Sequence, residues 1–164
     1  MKWVILGLAV LAAIILIVVA VGWMLPVSHT ASRELKIAAP PDAVWRVITD
    51  IDAFPSWRPG VTKIERQPDR NGLPVWAETG IHGRITLAVE RREPPRLLVT
   101  RIADSGLPFG GTWTYELAPD GGGTHLTITE HGEVYNPIFR FMSRFVFGHH
   151  GTIDAYLKAL AART

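Results

Sequence analysis

The residues best suited to chemistry lie on one predicted strand, residues 124–134. Alternation along this strand places Leu126, Ile128 and Glu130 on the same face. If the apolar face is the inner one, the Glu130 carboxylate points into the protein, where its pKa rises unless a cation pairs with it. Such a carboxylate is a structural ion pair, a polar anchor for a ligand, or an acid–base group.

A basic partner for Glu130 is available on another predicted strand, residues 96–102. Leu97, Val99 and Arg101 share one face of that strand, so Arg101 is the expected partner. Buried charges are normally paired, which favours the structural ion pair. A role in binding a ligand's polar group stays open.

Aromatic residues lie close to this pair along the chain. Gly110 and Gly111 allow a bend before strand 111–118, which would leave Phe109 at the rim of an inner space. Trp113 falls on the apolar face of that strand. Trp76 shares a face with Glu78, which we interpret as an outer face.

The sequence contains no common catalytic signature: there is no GxSxG, no phosphate loop, no HExxH and no dinucleotide fingerprint after a strand. There is no cysteine. His29, His82 and His125 are scattered, whereas His149 and His150 are adjacent and would point roughly 100° apart on a helix. We therefore predict no metal site and no cofactor.

Residues 3–25 form an apolar segment without an ionisable side chain. As a helix this segment would be about 35 Å long, enough to cross a hydrocarbon core of about 30 Å. The alternative is a signal peptide, but its apolar core is usually about 7 to 15 residues, and the small-residue site at residues 20–22 is a poor cleavage signal. We predict an uncleaved single-pass anchor at residues 1–26.

The charges around this segment do not set its orientation, because Lys2 and the amino terminus on one side face Arg33 and Lys36 on the other. We expect the folded domain to lie outside the cytoplasm. The whole chain has 17 Lys and Arg against 15 Asp and Glu. Because nucleic-acid binding needs a concentrated positive face, no nucleic-acid partner is expected.

The remainder is predicted to be a short linker at residues 27–31 and one domain at residues 32–164. A helix begins near Pro41 and Asp42. A long terminal helix, residues 136–160, carries an apolar stripe that includes Phe141 and Phe145 and starts at the Asn136 cap. The predicted strands are residues 32–38, 61–67, 73–79, 83–92, 96–102, 111–118 and 124–134. This order indicates an α+β domain with an antiparallel sheet.

Two stretches carry a family resemblance: residues 37–45, IAAPPDAVW, and residues 49–57, which include Thr49-Asp50 and Phe54-Pro55-Ser56-Trp57. They resemble the opening of the START-related (SRPBCC) superfamily, and the polyketide cyclase/dehydrase-like branch fits best. The resemblance implies a helix-grip fold, in which a curved antiparallel sheet holds a long C-terminal helix over a deep apolar cavity. Members bind lipids, sterols, quinones or polyketides, and some catalyse reactions on them.

The expected function is therefore membrane-anchored binding or transport of a hydrophobic small molecule. A cyclase- or dehydrase-type enzyme is the alternative, with Glu130, Tyr135 and His131 as candidates for proton transfer. A third possibility is an interaction module with a filled core; no particular protein partner is predicted. The expected ligand-binding residues are Arg101, Phe109, Trp113, Glu130, Tyr135, Phe141 and Phe145.

Overall fold

The structure is a computed structural model that describes residues 1–81 and 83–164. His82, counted above among the scattered histidines, lies outside the described residues. The helical elements are α1 (Lys2–Met24), α2 (Pro41–Thr49), a 3₁₀ turn (Ile51–Ser56), α3 (Pro137–Met142), a π-helical turn (Ser143–Phe147) and α4 (Gly151–Ala161). The strands are β1 (Ser28–Ile37), β2 (Val61–Arg70), β3 (Leu73–Gly80), β4 (Gly83–Glu93), β5 (Leu97–Ile102), β6 (Phe109–Asp120) and β7 (Gly123–Val134).

The strands form one antiparallel sheet in the order β1-β7-β6-β5-β4-β3-β2. Strands β2 to β7 follow one another as hairpins, and β1 closes the order by pairing with β7. Asn71 and Gly72 both have positive φ, as a tight turn between β2 and β3 requires. The predicted α+β fold with a curved antiparallel sheet is confirmed.

The core lies between the inner face of the sheet and two helices. Helix α2 starts with Pro41 at its first turn and buries Val44, Trp45 and Ile48. Helix α4 buries four side chains against the same core: Ile153, Tyr156, Leu157 and Leu160. Helices α2 and α4 therefore cover one side of the core, and the sheet covers the other side.

Strand β1 begins earlier than predicted, and most of the expected linker at residues 27–31 is part of it. Ser28 pairs with Glu133 and Ala31 with Glu130, so β1 follows β7 along its whole length. Residues 28–30 are polar and give no strand signal of their own. Their conformation is set by pairing with the exposed edge of β7, which is a non-local effect.

The predicted terminal helix of residues 136–160 is two helices separated by a π-helical turn and a break. Asn136 caps α3 as expected, because its side chain accepts hydrogen bonds from the backbone N–H groups of Ile138 (2.9 Å) and Phe139 (3.3 Å). The helix stops at Gly148, whose φ of 73° is incompatible with a right-handed helix. Helix α4 then starts at Gly151.

Helix α1 is long and apolar enough to cross a membrane, and a signal sequence would also meet these criteria. Most residues of α1 are exposed, but Val18, Val19 and Val21 are partly buried and Gly22 is buried near the C-terminal end of the helix. That end packs against α3. Only Leu25, Pro26 and Val27 separate α1 from β1.

Candidate ligand cavity

A cavity of about 830 Å³ lies between the inner face of the sheet and the helices. A space of this size is within the range that small-molecule sites occupy. Its walls are mainly apolar and aromatic and come from β3 to β7, from α2 and from the 3₁₀ turn. They include Ile48, Phe54, Trp76, Leu87, Val89, Leu98, Trp113 and Tyr115.

The mouth of the cavity is identified by residues that line it and also reach solvent. Phe139 of α3 and Phe147 of the π-helical turn both line the cavity and are exposed. Met142 lies between them along the same segment, and Phe109 adds to the lining from the start of β6. The opening therefore lies under the segment that leads from α3 into the π-helical turn.

Near this opening, Glu130 faces the cavity and receives a hydrogen bond. Trp113 and Glu130 are directly paired across β6 and β7, which puts both side chains on the inner face. The Trp113 Nε1–H donates to Glu130 Oε2 over 3.0 Å. Burial raises the pKa of Glu130, while the hydrogen bond from Trp113 acts in the opposite direction.

Two histidines complete what we call the Glu130 cluster, which consists of His29, Trp113, Glu130 and His149. His29 Nε2 lies 3.4 Å from Glu130 Oε1. A β-carbon at Gly132 would overlap the His29 ring, so glycine at that position makes room for the imidazole. The rings of His29 and His149 stack with centroids 3.8 Å apart.

Desolvation lowers the pKa of both histidines. Both imidazoles are therefore mainly uncharged at neutral pH. A neutral imidazole can donate from one nitrogen and accept at the other. The Glu130 cluster thus offers hydrogen-bond donors and an acceptor to a polar group inside a mainly apolar space.

A second polar group lies elsewhere on the cavity wall. Arg58 Nη1 donates to Glu78 Oε2 over 2.9 Å, and the Trp76 Nε1–H donates to the same oxygen over 3.4 Å. The guanidinium also stacks over the Phe54 ring, with its central carbon 4.6 Å from the ring centroid. Arg58 thus balances the charge of Glu78, and several contacts hold its carboxylate, as expected of a partly buried ion pair.

Two tyrosines stand close to this pair. Burial raises the pKa of Tyr115 to about 12 and raises that of Tyr156 well above its ordinary value. Both hydroxyls therefore stay protonated at physiological pH and act as hydrogen-bond donors or acceptors.

The expected pairing of Glu130 with Arg101 is wrong. Arg101 is exposed and pairs with Glu90. Strand β5 directs its even-numbered residues inward, since Leu98 and Thr100 are paired with Tyr115 and Trp113 on the inner face of β6. Three of the first four residues of β5 are apolar, so alternation alone does not distinguish its two faces.

The interpretation of Trp76 and Glu78 as outer-face residues is also wrong. Both line the cavity, and Trp76 is buried. Sequence reasoning likewise did not single out Arg58, His29 or His149. One sequence signal could have placed Trp76 and Glu78 in the cavity. They are two positions apart, so they share a face of their strand, and a large aromatic such as Trp76 is expected on the buried face.

Three of the seven predicted ligand-binding residues line the cavity, namely Phe109, Trp113 and Glu130. Tyr135 is 47% exposed, and its hydroxyl donates to Glu133 Oε2 over 2.6 Å. Phe141 and Phe145 belong to the segment over the mouth, where their ring centroids are 4.9 Å apart. His131 is exposed and lies within hydrogen-bond distance of Thr30, 3.1 Å from its hydroxyl.

Within residues 1–81 and 83–164, no group of three metal-ligating side chains is placed to hold an ion.

The fold and the cavity together define a helix-grip protein built around an internal apolar space. The chain belongs to the family described as polyketide cyclase / dehydrase and lipid transport, whose model matches residues 28–164. Helix α1 lies outside the matched residues. No curated protein sequence matches the chain.

Solved structures show the same fold at low sequence identity. A START superfamily protein from Mycobacterium smegmatis superposes with a TM-score of 0.66 at 20% identity, over 82% of this chain and 96% of that chain. The aromatase/cyclase ZhuI from a Streptomyces species gives 0.66 at 17%, over 83% and 93%. Truncated norcoclaurine synthase from Thalictrum flavum gives 0.67 at 16%, over 84% and 93%.

Proposed function

We propose that this protein binds a hydrophobic small molecule in its internal cavity, beside a membrane that α1 crosses. The observation that carries this proposal is a cavity of about 830 Å³ with mainly apolar walls and a few polar groups at defined places. Sites for small molecules generally have this composition. A filled core, which the interaction-module alternative requires, is inconsistent with such a space.

The ligand class that fits is amphipathic: a lipid, quinone, sterol-like or polyketide-like molecule with one polar group. Phe109 and Trp113 would contact its apolar body. The Glu130 cluster would hold the polar group, because a partly buried carboxylate with neutral imidazoles beside it recognises a hydroxyl or an amide. The family description, which names both cyclases and lipid transport, supports this class.

Anchoring fits a poorly soluble ligand, because the membrane is its reservoir and a tethered cavity meets it at a high local concentration. We infer that α1 is an uncleaved single-pass span and that the folded domain lies outside the cytoplasm. A reporter fused after Thr164 tests the orientation. Reporter activity on the cytoplasmic side would overturn it, and a membrane-fraction mass lacking α1 would show cleavage.

Native mass spectrometry of the full chain, extracted with detergent, tests the binding proposal. We expect an apolar molecule to remain bound and to be lost from Trp113→Ala. Glu130→Gln should weaken its retention, whereas Glu116→Gln, which changes an exposed carboxylate on the same β6 strand as Trp113, should leave it unchanged. A folded chain that carries nothing, from its native membrane and after incubation with lipid extract, would contradict the proposal.

An enzyme of the cyclase or dehydrase kind is a second candidate, and the Glu130 cluster is the observation that favours it. A carboxylate of raised pKa within 3.4 Å of an imidazole nitrogen is suited to proton transfer. If this candidate is right, Glu130→Gln will abolish conversion of the bound molecule while its unreacted form still co-purifies. If the wild type and Glu130→Gln both yield the same unreacted molecule, the enzyme candidate is excluded.

A further inference from the structure

Helix α1 is fixed to the domain at the mouth of the cavity instead of being a loose tether. Gly22 is buried against α3, and a β-carbon there would overlap the carbonyl oxygen of Pro137. By contrast, a β-carbon at Gly7, in the same helix, would meet nothing within 4 Å. The close approach of the two helices therefore depends on the lack of a side chain at one specific glycine.

A buried arginine strengthens this junction. Arg140 of α3 is 8% exposed, and its Nη1 donates to the carbonyl oxygen of Leu25 over 2.8 Å. Its guanidinium also lies 5.9 Å from the centroid of the Trp23 ring. This carbonyl follows the last turn of α1, where a helix end favours a positive charge. The N–H of Val134, at the end of β7, donates to the carbonyl of Val27 and so holds the short connection between α1 and β1 against the sheet.

The segment that α1 is fixed to presents an apolar surface. Phe145, Val146 and Phe147 are 59%, 58% and 73% exposed, and Ile138 and Phe139 are exposed as well. We call residues 138–147 the mouth segment. Contiguous exposed apolar side chains of this kind mark a surface that is covered by something other than water.

We propose that the mouth segment lies in the interface of the same bilayer that α1 crosses, so that the cavity opens to lipid. Three observations point to the bilayer as the occupant. The mouth segment adjoins the end of α1, the junction described above holds it there, and it carries the exposed phenylalanines that interfacial helices use. Arg144, exposed within the segment, can reach the headgroups while its neighbours enter the acyl region.

The consequence concerns the path of the ligand. Phe139, Met142 and Phe147 line the cavity and belong to the mouth segment. A hydrophobic molecule would therefore pass between the bilayer and the cavity without crossing water. This inference rests on the proposed anchoring by α1.

Spin labels test the proposal on the full chain in phosphatidylcholine vesicles, and the absence of native cysteine makes single-cysteine variants clean. The labelled variants are Val146→Cys in the mouth segment, Leu11→Cys in α1, and Asn71→Cys in the exposed β2–β3 turn as the aqueous control. Collision with oxygen, which concentrates in lipid, is compared with collision with a water-soluble nickel chelate. We expect Val146→Cys and Leu11→Cys to favour oxygen and Asn71→Cys to favour the chelate.

The contrary outcomes distinguish a failure of the anchoring by α1 from a failure of the proposal for the mouth segment. If Leu11→Cys favours oxygen but Val146→Cys favours the chelate, the anchor stands and the inference fails. If both favour the chelate, anchoring itself fails and the inference fails with it. Spectral broadening at Val146→Cys that disappears on dilution with unlabelled chain would show a second copy on this surface, and would also overturn the proposal. Far-UV circular dichroism checks that each variant folds.

Discussion

At the scale of single residues, Glu130 is the group whose environment makes the sharpest prediction. Burial raises its pKa, so the folded state favours the protonated carboxyl relative to the unfolded state. The stability that this contributes is present below the unfolded pKa of 4.5 and is lost as pH rises through the folded pKa. Ionising Glu130 therefore costs more free energy in the folded chain than in the unfolded chain.

Glu130→Gln removes the titrating group, while the side-chain oxygen of the glutamine still accepts the Trp113 hydrogen bond. We expect the variant to gain stability over the wild type as pH rises from 4 to 7.5, with the largest difference at the upper end. Thermal unfolding of the full chain in detergent across this range measures it. Glu116→Gln is the control and should give no such trend, and a Glu130→Gln difference that is flat with pH would contradict the assignment.

The sequence predicted part of the Glu130 cluster because polar and apolar residues alternate clearly along β6 and β7. On those strands Trp113 and Glu130 were correctly placed on one inner face. On β5 the pattern is ambiguous, since Leu97, Leu98 and Val99 are all apolar, and Arg101 was placed on the wrong face. His29 could not be found this way, because it reaches Glu130 only through the pairing of β1 with β7.

At the scale of elements, the contact of α1 with α3 yields a test with an internal control. Gly22→Ala places a methyl group where the Pro137 carbonyl lies, and overpacking of this kind costs typically 1–3 kcal/mol. Gly7→Ala has free space and gains helix propensity worth at most about 1 kcal/mol. We therefore expect Gly22→Ala to weaken the packing of α1 on α3 and Gly7→Ala to leave it intact.

Hydrogen exchange of the detergent-solubilised full chain measures this difference in peptides that cover α3. Faster exchange is expected there in Gly22→Ala only, because loss of the α1 contact exposes the amides of α3 to opening. Equal exchange in both variants would mean that the two helices are not packed together in solution.

Element types were easier to predict than element ends. The order of helices and strands followed from periodicity, turn residues and the Asn136 cap, all of which are local. The start of β1 was missed because residues 28–30 are held by β7. The terminal helix was predicted as one continuous helix over residues 136–160, whereas the positive φ of Gly148 ends its first part.

At the scale of the whole molecule, the cavity, its mouth and α1 follow one another in space, although the sequence predicted them as separate parts. Nothing in the composition of residues 3–25 indicates that their C-terminal end packs on α3. Gly22 resembles Gly7 in sequence, and Arg140 resembles any helical arginine. Their roles depend on a contact between residues more than a hundred positions apart, which no local pattern encodes.

The same arrangement predicts that acid loosens the mouth. His29 on β1 and His149 in the break before α4 stack 3.8 Å apart, and desolvation lowers the pKa of both. The stability of this contact is therefore present above the unfolded pKa of 6.5 and is lost as pH falls through the folded values. Of the neighbouring charges, Arg144 and His150 also lower the pKa of His149, and Glu130 raises it.

Protonation of both imidazoles places two positive charges in contact. Their repulsion is expected to separate His149 from His29 and to free the mouth segment to move. We expect a spin label at Val146→Cys in the full chain to become more mobile as pH falls from 7.5 to 5. Adding His149→Phe keeps an aromatic ring in place without a titrating group, so the label's mobility should no longer depend on pH. His125→Gln changes a surface histidine near Glu34 and should leave the wild-type response. If the mobility of the label still depends on pH in the His149→Phe variant, a group other than the histidine stack opens the mouth, and the prediction is wrong.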